Sequence, residues 1–166
     1  MPICQHGNGP GGSSTTASIV TQFSADPGHL SAFWHCVGPP CQGVYLPLFL
    51  EGELPQALAL PDEIGGPAPL GLRLRRLREA LSGEREKWDM ARSHLDRLQS
   101  RLDSDAQEFA VEGAILKQGG APLELQRQAA LFMQQCVEQL ETVVADLEVR
   151  SRSAGPHTPQ LLASDF

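Results

Sequence analysis

The spacing of apolar residues divides the chain into two parts. Up to about residue 50, short apolar stretches punctuated by Gly, Pro and Ser are typical of β-strands. From about residue 70 onward, apolar residues recur every three or four positions, which is typical of amphipathic helices. The pattern predicts an α+β protein. We expect strands within 1–50, a connector over 51–69, a helical region over 70–150 and a flexible tail over 151–166.

Three strands are predicted in the first part, over about 15–24, 29–37 and 43–50. Asp26-Pro27-Gly28 separates the first two, and Gly38-Pro39-Pro40 separates the last two. Because both connections are short, the strands are expected to pair as an antiparallel meander.

The third strand contains Pro47, which cannot donate a hydrogen bond to a neighbouring strand. This strand therefore lies at an edge of the sheet, or has a bulge or its end there. In all three strands apolar side chains occupy both faces, as Ile19 and Val20 do in the first. Strands of this kind are normally covered on both sides, so we expect further protein to cover this sheet.

Three helices are predicted in the second part, the first from about Leu70. The second begins near Glu84 and carries a heptad-like seam that Asp105 interrupts. Gly119-Gly120 ends it, and Pro122 suits the first turn of the third helix, which ends near Arg150. Apolar residues at helical spacing form the expected core stripes: Leu70, Leu74, Leu77 and Leu81; Trp88, Ala91, Leu95, Leu98, Leu102 and Phe109; and Leu125, Ala129, Phe132, Cys136, Val143 and Leu147.

Composition limits the classes of function. The 166 residues are 41% hydrophobic and 20% charged, which is typical of a globular chain, and the net charge is −7. A nucleic acid or an anionic membrane would require clustered Lys and Arg, so neither is expected as a partner. No secretory signal and no apolar run of membrane-spanning length is evident. We expect a cytoplasmic protein whose four cysteines are reduced thiols.

Charge is unevenly distributed along the helical region. Residues 70–102 hold nine Arg or Lys and five Asp or Glu, whereas residues 103–148 hold two and nine. An antiparallel hairpin would set the basic part against the acidic part. The plain interpretation is solvated helix faces, on which exposed ion pairs contribute only about 0–1 kcal/mol each. A basic binding surface is the alternative, although acidic residues interrupt it.

Cys4 and His6 are the first candidates for chemistry. A thiol and an imidazole can act as nucleophile and base, or as two metal ligands. Two residues this close in a loop do not form such a pair unaided, and no third, orienting group is evident. Burial is the expected role of Cys4.

Cys36 and Cys41, with His35 beside them, form a weak candidate for zinc. Zinc sites more often use a CxxC knuckle and a second such pair, and here Pro39 and Pro40 lie between the cysteines. No metal or other cofactor is therefore expected.

The glycine-rich stretch over 7–12 does not match a phosphate-binding loop. It lacks the Lys-Ser/Thr ending, and a strand follows it instead of a helix. Thr15 and Thr16 would need an adjacent α-amine to act as nucleophiles, and both are internal. The residues themselves thus indicate no catalytic group in this chain.

The N-terminal part resembles a known enzyme family. Ile3-Cys4-x-His6, a Gly-rich gap and the stretch from Thr15-Thr16 to Val20 are similar to the "CMH…TTASMV" region of the secernin and bacterial dipeptidase family of N-terminal-nucleophile (Ntn) hydrolases. The block from Phe33 to Pro47 looks like the family's next block, in which a Pro/Cys turn precedes a "SVFxPxF" strand. The resemblance covers about residues 3–50 and is generic over 70–150.

The resemblance implies a partial αββα sandwich, represented by three antiparallel strands and followed by a helical hairpin or small bundle. It implies cleavage of dipeptides or related small amides by an N-terminal Cys, whose own α-amine acts as base. Cys4 matches an internal family position, so the nucleophile role is not carried onto it. Cys4, His6, Thr15 and Thr16 are motif positions for which the resemblance leaves substrate binding open.

The favoured hypothesis is a C-terminal fragment or subunit of a dipeptidase-like Ntn hydrolase. We expect it to be inactive alone, because a missing N-terminal half or partner subunit would supply the nucleophile and complete the site for a dipeptide-like substrate. One alternative is a non-catalytic helical interaction or assembly module, which pairs through stripes containing Trp88 and Phe109 or Phe132 and Cys136. Another is a small self-contained α+β domain without a catalytic role.

Overall fold

The computed structural model describes residue 4 and residues 17–37, 39–58, 69–81 and 83–153. Strands precede helices, and the α+β class predicted from the sequence is confirmed. The elements in chain order are β1 (Ala17–Gln22), β2 (Ala32–Val37), β3 (Tyr45–Phe49), a short 3-10 turn (Gln56–Leu58), α1 (Leu70–Ala80), α2 (Arg85–Gln118) and α3 (Pro122–Ser153).

The three strands form one antiparallel sheet in the order β1-β2-β3. The predicted meander is confirmed, but its strands are shorter than expected. The second strand does not begin at His29, because the His29 amide closes a turn by donating to the Asp26 carbonyl at 3.1 Å. Thr15 and Thr16, at the predicted start of the first strand, lie outside the described residues. Pro47 lies in the edge strand β3, which is the first of the alternatives that its missing amide hydrogen predicted.

Helices α2 and α3 cover the outer edge of β3. Tyr45, Pro47 and Phe49 turn their backbone groups away from β2. The Gln99 side chain accepts from the Tyr45 amide at 2.7 Å and donates to the Tyr45 carbonyl at 3.2 Å. The Phe49 amide donates to the Met133 sulfur at 3.2 Å, and Pro47 has no amide hydrogen. Each outward amide hydrogen of β3 is therefore either bonded or absent.

The three predicted helices are confirmed. Leu70, Leu74 and Leu77 are the buried residues of α1. Helix α2 ends before Gly119, and Gly120 has a φ of +70°, a left-handed conformation that favours glycine. Helix α3 continues to Ser153. Residues 151–153 are thus helical and not part of a tail, and the rest of the predicted tail lies outside the described residues.

Seven of the eight described buried positions in each of α2 and α3 follow an 11-residue spacing, and Ala114 and Val137 are the two exceptions. In α2 the successive spacings between these seven positions are 4, 3 and 4 residues, and this set of three occurs twice. In α3 the spacings are 4, 4 and 3 residues, and this set also occurs twice. Each set adds up to 11 residues. A period of about 3.67 residues per turn favours slight right-handed winding instead of the left-handed winding of a heptad coiled coil. The seam expected to break at Asp105 continues instead through Ala106. These positions are Ala91, Leu95, Leu98, Leu102, Ala106, Phe109 and Gly113 in α2, and Leu125, Ala129, Met133, Cys136, Leu140, Val144 and Leu147 in α3.

Two buried clusters share the helical hairpin. The first joins Leu46 of β3 to α1, α3 and the part of α2 that ends at Leu102. The second is centred on Phe49, whose ring contacts Phe109 and Phe132 edge-on at centroid distances of 4.9 and 5.8 Å. Residues of β3 belong to both clusters, whereas no residue of β1 belongs to either. The helices therefore hold the sheet at its β3 side.

The connector predicted over 51–69 packs only in part. Leu58 lies against the first cluster, but Leu54 is 65% exposed, and Leu60 lies outside the described residues. Gly52, just after β3, lies so close to α3 that a Cβ atom there would be 2.6 Å from the Ala130 amide nitrogen. Only glycine allows this close approach without a backbone shift.

The predicted charge complementarity is limited to a few contacts between elements. Arg73 of α1 donates two hydrogen bonds, of 3.1 and 2.8 Å, to the Glu148 carboxylate of α3. These bonds lower the pKa of Glu148. Lys117 of α2 also pairs with Glu51, just after β3, at 3.3 Å. The remaining described ion pairs of the helical region, such as Arg92–Asp96, join residues three or four positions apart. Within the described residues, no helix combines the length and apolar character needed to cross a membrane.

Candidate functional site

The outer edge of β1 is open on the described surface. In an antiparallel sheet the backbone groups of successive residues point alternately to one neighbouring strand and to the other. The groups of β3 that point away from β2 are known, so the strand pairing identifies the residues of β2 that bond to β1 and then the residues of β1 that point away from β2. By this alternation Ala17, Ile19 and Thr21 direct their amides and carbonyls away from β2. None of the described residues forms a hydrogen bond with these outward groups. The strand sequence ASIVTQ also lacks the Pro and charged residues that commonly protect a sheet edge.

Apolar side chains are exposed on both faces of this edge. Ile19 is 64% and Val20 is 53% exposed, and neighbouring side chains of a strand point to opposite faces. Phe23, just after β1, is 75% exposed. The described residues therefore do not provide the cover on both faces that the sequence predicted for all three strands. They provide it only at β3.

A groove of about 590 Å³ continues from the end of β1 to helix α2. Phe23 and Leu30 line it on the sheet side, and Val111 and Ile115 line it on α2. Val111 and Ile115 are 64% and 66% exposed and lie one turn apart. Gln22, Ser24, His29 and Gln118 also line the groove, so it is only partly apolar. We call the groove and the neighbouring β1 edge together the β1–α2 surface.

Ser24, Asp26 and His29 lie in the turn beside this groove, and the sequence did not single them out as a set. Nδ1 of His29 is 3.0 Å from Oδ2 of Asp26, but the Ser24 hydroxyl donates to the Asp26 carbonyl at 3.1 Å and not to the imidazole. The Asp26 carboxylate accepts from the Gly28 amide at 2.8 Å, which is the main reason for its lowered pKa. These contacts stabilise a turn and do not form a nucleophile–base pair.

Three of the four cysteines meet at the opposite end of the sheet. The Cys41 amide donates to the Sγ atom of Cys4 at 3.3 Å. Cys36 is fully buried on β2 beside them, and burial raises its pKa to about 11. Cys41 is exposed, but partial desolvation by its neighbours raises its pKa, an effect that Cys4 increases. We call Cys4, Cys36 and Cys41 the thiol cluster.

Arg92 of α2 fixes the turn that carries this cluster. Its Nη1 atom donates to the carbonyls of Cys41 and Gly43 at 3.3 and 3.2 Å. Its positive charge partly offsets the rise in the pKa of Cys36 and Cys41. Among the described His, Cys, Asp and Glu residues, no group of three is placed to hold a metal ion.

Of the four motif positions singled out from the sequence, the structure describes only Cys4. His6, Thr15 and Thr16 lie outside the described residues. Cys4 is half-buried and contacts Cys41, a pairing that no sequence spacing indicated.

Three other residues of the family-like blocks lie in the sheet. The Ser18 hydroxyl and the Tyr45 hydroxyl form a 2.9 Å hydrogen bond across the sheet. His35 lies on the opposite face of β2 from Cys36, and burial lowers its pKa. The described part of the motif thus contributes sheet contacts.

Comparison with known proteins leaves the family open. The chain matches no protein-family model, and no curated protein and no solved structure is significantly similar to it. The Ntn-hydrolase resemblance stays a prediction from the sequence motifs.

Proposed function

We propose that this chain is a non-catalytic part of a larger assembly, in which another polypeptide segment adds a strand to β1. The observation that carries the proposal is the outer edge of β1, which no described residue covers and where the backbone groups of Ile19 and Thr21 face outward. An added strand would satisfy these groups, and its side chains would cover Ile19 or Val20.

The groove beside β1 extends the area available to such a partner. A chain that pairs with β1 and continues past Phe23 would reach the exposed Val111 and Ile115 side chains on α2. A single edge strand buries little apolar area, and the groove adds to it. Exposed apolar side chains grouped on one surface and surrounded by polar residues are a common feature of protein interaction sites.

Within this proposal, the larger protein is a dipeptidase-like Ntn hydrolase. The motif resemblance over residues 3–50 and the packing of an antiparallel sheet on helices support it, since one sheet with its helices corresponds to half of an αββα sandwich. The added segment would bring a second sheet and an N-terminal Cys, whose α-amine takes the thiol proton as the sulfur attacks an amide carbonyl. This chain would support the site, and the substrates would be dipeptides or similar small amides.

A helical assembly module is the second candidate. The exposed pair of Val111 and Ile115 favours it, because a partner helix could lie along the same groove. The stripes that the sequence suggested for this role are not available. Phe109 and Cys136 are 6% and 1% exposed, and Trp88 and Phe132 pack against the cores.

A comparison of lysine variants tests the interaction surface. We expect the wild-type chain to bind an apolar-surface dye and to self-associate in light scattering, and Ile19→Lys to reduce both. Val149→Lys on α3 is the matched control, since Val149 is similarly exposed at 55% and lies outside the β1–α2 surface. A monomeric wild-type chain that binds no dye would contradict the proposal.

A third variant separates the two candidates. Strand addition predicts a larger effect of Ile19→Lys than of Val111→Lys, and helix docking predicts the reverse. An assay on a panel of dipeptides tests the enzymatic part. We expect no turnover by the chain alone, and turnover that Cys4→Ala abolishes would overturn the non-catalytic role.

A further inference from the structure

Cys4 and Cys41 are in direct contact although they lie 37 residues apart in the sequence. We propose that they form a redox-responsive pair, which a low-molecular-weight disulfide such as oxidised glutathione converts into an intramolecular disulfide. This inference is independent of the proposed assembly role, because it concerns the opposite end of the sheet from the groove.

The two thiols are close and reachable. The Cys41 amide donates to the Cys4 sulfur at 3.3 Å, and the Cys4 thiol contributes to the raised pKa of Cys41. Cys41 is exposed and Cys4 is half-buried, so a small disulfide in solution can reach the Cys41 sulfur first. Cys4 is then adjacent to the mixed disulfide as the resolving thiol.

The backbone around Cys41 is held on both sides of the cysteine. The amides of Gln42 and Gly43 donate to the Pro39 carbonyl at 2.8 and 3.1 Å. Arg92 binds the Cys41 and Gly43 carbonyls from α2. These contacts keep the Cys41 thiol at the surface and against Cys4, so bond formation does not require the turn to unfold.

The two remaining cysteines are protected from the same reagent. Cys36 is 0% exposed in β2, and Cys136 is 1% exposed in α3. Burial raises the pKa of these thiols to about 11 and about 12, so neither has an appreciable thiolate fraction near neutral pH. Cys36 is near Cys4 and Cys41, but it is fully buried, so we expect it not to react with oxidised glutathione in the folded chain.

The reaction balances as two thiol–disulfide exchanges. The Cys41 thiolate attacks one sulfur of oxidised glutathione, the S–S bond breaks, and one glutathione leaves as a thiolate that takes up a proton. The Cys4 thiolate then attacks the Cys41 sulfur of the mixed disulfide and displaces the second glutathione. Two protein thiols lose two electrons and two protons, and one oxidised glutathione becomes two thiols.

The product would join the segment that precedes β1 to the turn that precedes β3. That turn is fixed to α2, so the bond would tie the N-terminal segment to the helical layer at the end of the sheet where Ala17 pairs with Val37. Reduction by dithiothreitol would release it.

Peptide mapping of the full-length chain tests the pair. The reduced chain is incubated with oxidised glutathione in mildly alkaline buffer, because the raised pKa of Cys41 leaves little thiolate at neutral pH. After the remaining thiols are alkylated, the protein is digested without reductant. We expect an intact mass lower by two hydrogen atoms, a peptide in which Cys4 is linked to Cys41, and alkylation of Cys36 and Cys136 only after unfolding.

Single-cysteine variants define the outcomes. Cys36→Ala should still form the linked peptide, whereas Cys41→Ala should give at most a glutathione adduct on Cys4 without a link. In denaturant, the wild-type chain should lose this preference and form mixed pairings. Separate adducts on Cys4 and Cys41 in the native chain, or a link that involves Cys36, would overturn the proposal.

Discussion

Strands β1 and β3 are the two edges of the same sheet, but they differ in whether described side chains bond to their outward backbone groups. At β3, the helices supply a Gln99 amide and a Met133 sulfur for the outward backbone groups, and Pro47 removes one donor. At β1, no described residue plays such a part, and Ile19 and Val20 are exposed. An edge can thus be closed by side chains from a helix without another strand, and an edge without such side chains is available for pairing.

The difference between the edges also lies in their apolar residues. Residues of β3 are buried on both faces, Leu46 against one cluster and Phe49 against the other. Strand β1 also contains apolar residues, such as Ile19 and Val20, but no described element packs over them. The comparison shows that the apolar content of a strand predicts the need for cover, and the neighbouring elements determine whether the same chain provides it.

Phe49→Ala should have the largest effect, because it breaks the closed edge. Phe49 is 1% exposed and contacts two other rings, so its truncation leaves a cavity that should cost about 3–5 kcal/mol of unfolding free energy. Urea unfolding followed by circular dichroism measures this loss. Phe23→Ala is the comparison: Phe23 is 75% exposed and contacts one ring, that of Phe33, edge-on at 5.9 Å, so its loss should cost about 0.5–1.5 kcal/mol. Equal losses would contradict the contrast between the two edges.

Gly52→Ala should have the next largest effect. The added methyl group would lie 2.6 Å from the Ala130 amide nitrogen and would push the turn after β3 away from α3, at a cost of about 1–3 kcal/mol. Thermal and urea unfolding report it. Gly83→Ala is a useful comparison, because that site has open space and only a positive φ of +90°. If Gly52→Ala leaves the stability unchanged, the close approach at Gly52 is not what holds β3.

Gln99→Leu tests the side-chain closure of the β3 edge directly. It removes the acceptor for the Tyr45 amide and the donor to its carbonyl, and leaving these part-buried groups unpaired should cost about 1–2 kcal/mol. In this variant the rate of hydrogen exchange at the Tyr45 amide should increase by a larger factor than the rates at the amides of β2. Gln135→Leu on exposed α3 surface is the control. An unchanged Tyr45 exchange rate would show that the edge does not depend on Gln99.

Glu148→Gln should have the smallest effect, and one that depends on pH. Hydrogen bonds from Arg73 lower the pKa of Glu148 below its ordinary 4.5, so the pair stabilises the fold above that pH and loses the contribution as pH falls through the lowered pKa. The variant should therefore be less stable than wild type near neutral pH, by at most about 1 kcal/mol, and similar to it in acid.

Urea unfolding across the acid range measures this difference. Glu79→Gln is the control, since its pair with Arg75 is exposed and lies within one helix. A constant difference at all pH values would show that the ion pair is not its source. Strand β1 contains no titratable side chain, so acid should weaken the helical side of the molecule without changing the β1 edge itself.

Local signals in the sequence predicted much of the fold. The spacing of Leu70, Leu74 and Leu77 predicted α1, Gly119-Gly120 predicted the end of α2, and Pro47 predicted an edge strand. Each of these depends on a residue and its near neighbours. The 11-residue spacing was missed because a step of four instead of three after Leu102 looks like an interruption when only a heptad is considered.

The candidate site was less predictable, because it depends on contacts between distant residues. Nothing near Gln99 or Met133 indicates that either would bond the backbone of β3, and no spacing rule connects Cys4 to Cys41. The apolar residues of β1 did indicate a surface that needs cover. Their exposure depends on where the helices lie, which the pattern within β1 does not contain.

The 11-residue spacing in α2 and α3 has a consequence for how the hairpin tolerates changes in length. An insertion of 11 residues in both helices would add about 16 Å and leave the succession of facing residues unbroken. A matched insertion of seven would instead introduce a heptad and reverse the local sense of winding. Three helical turns, or about 11 residues, are therefore the length by which this hairpin can be extended. Such an extension would increase the distance between the end that packs against α1 and the end that lines the groove, and the residues at both ends would stay the same.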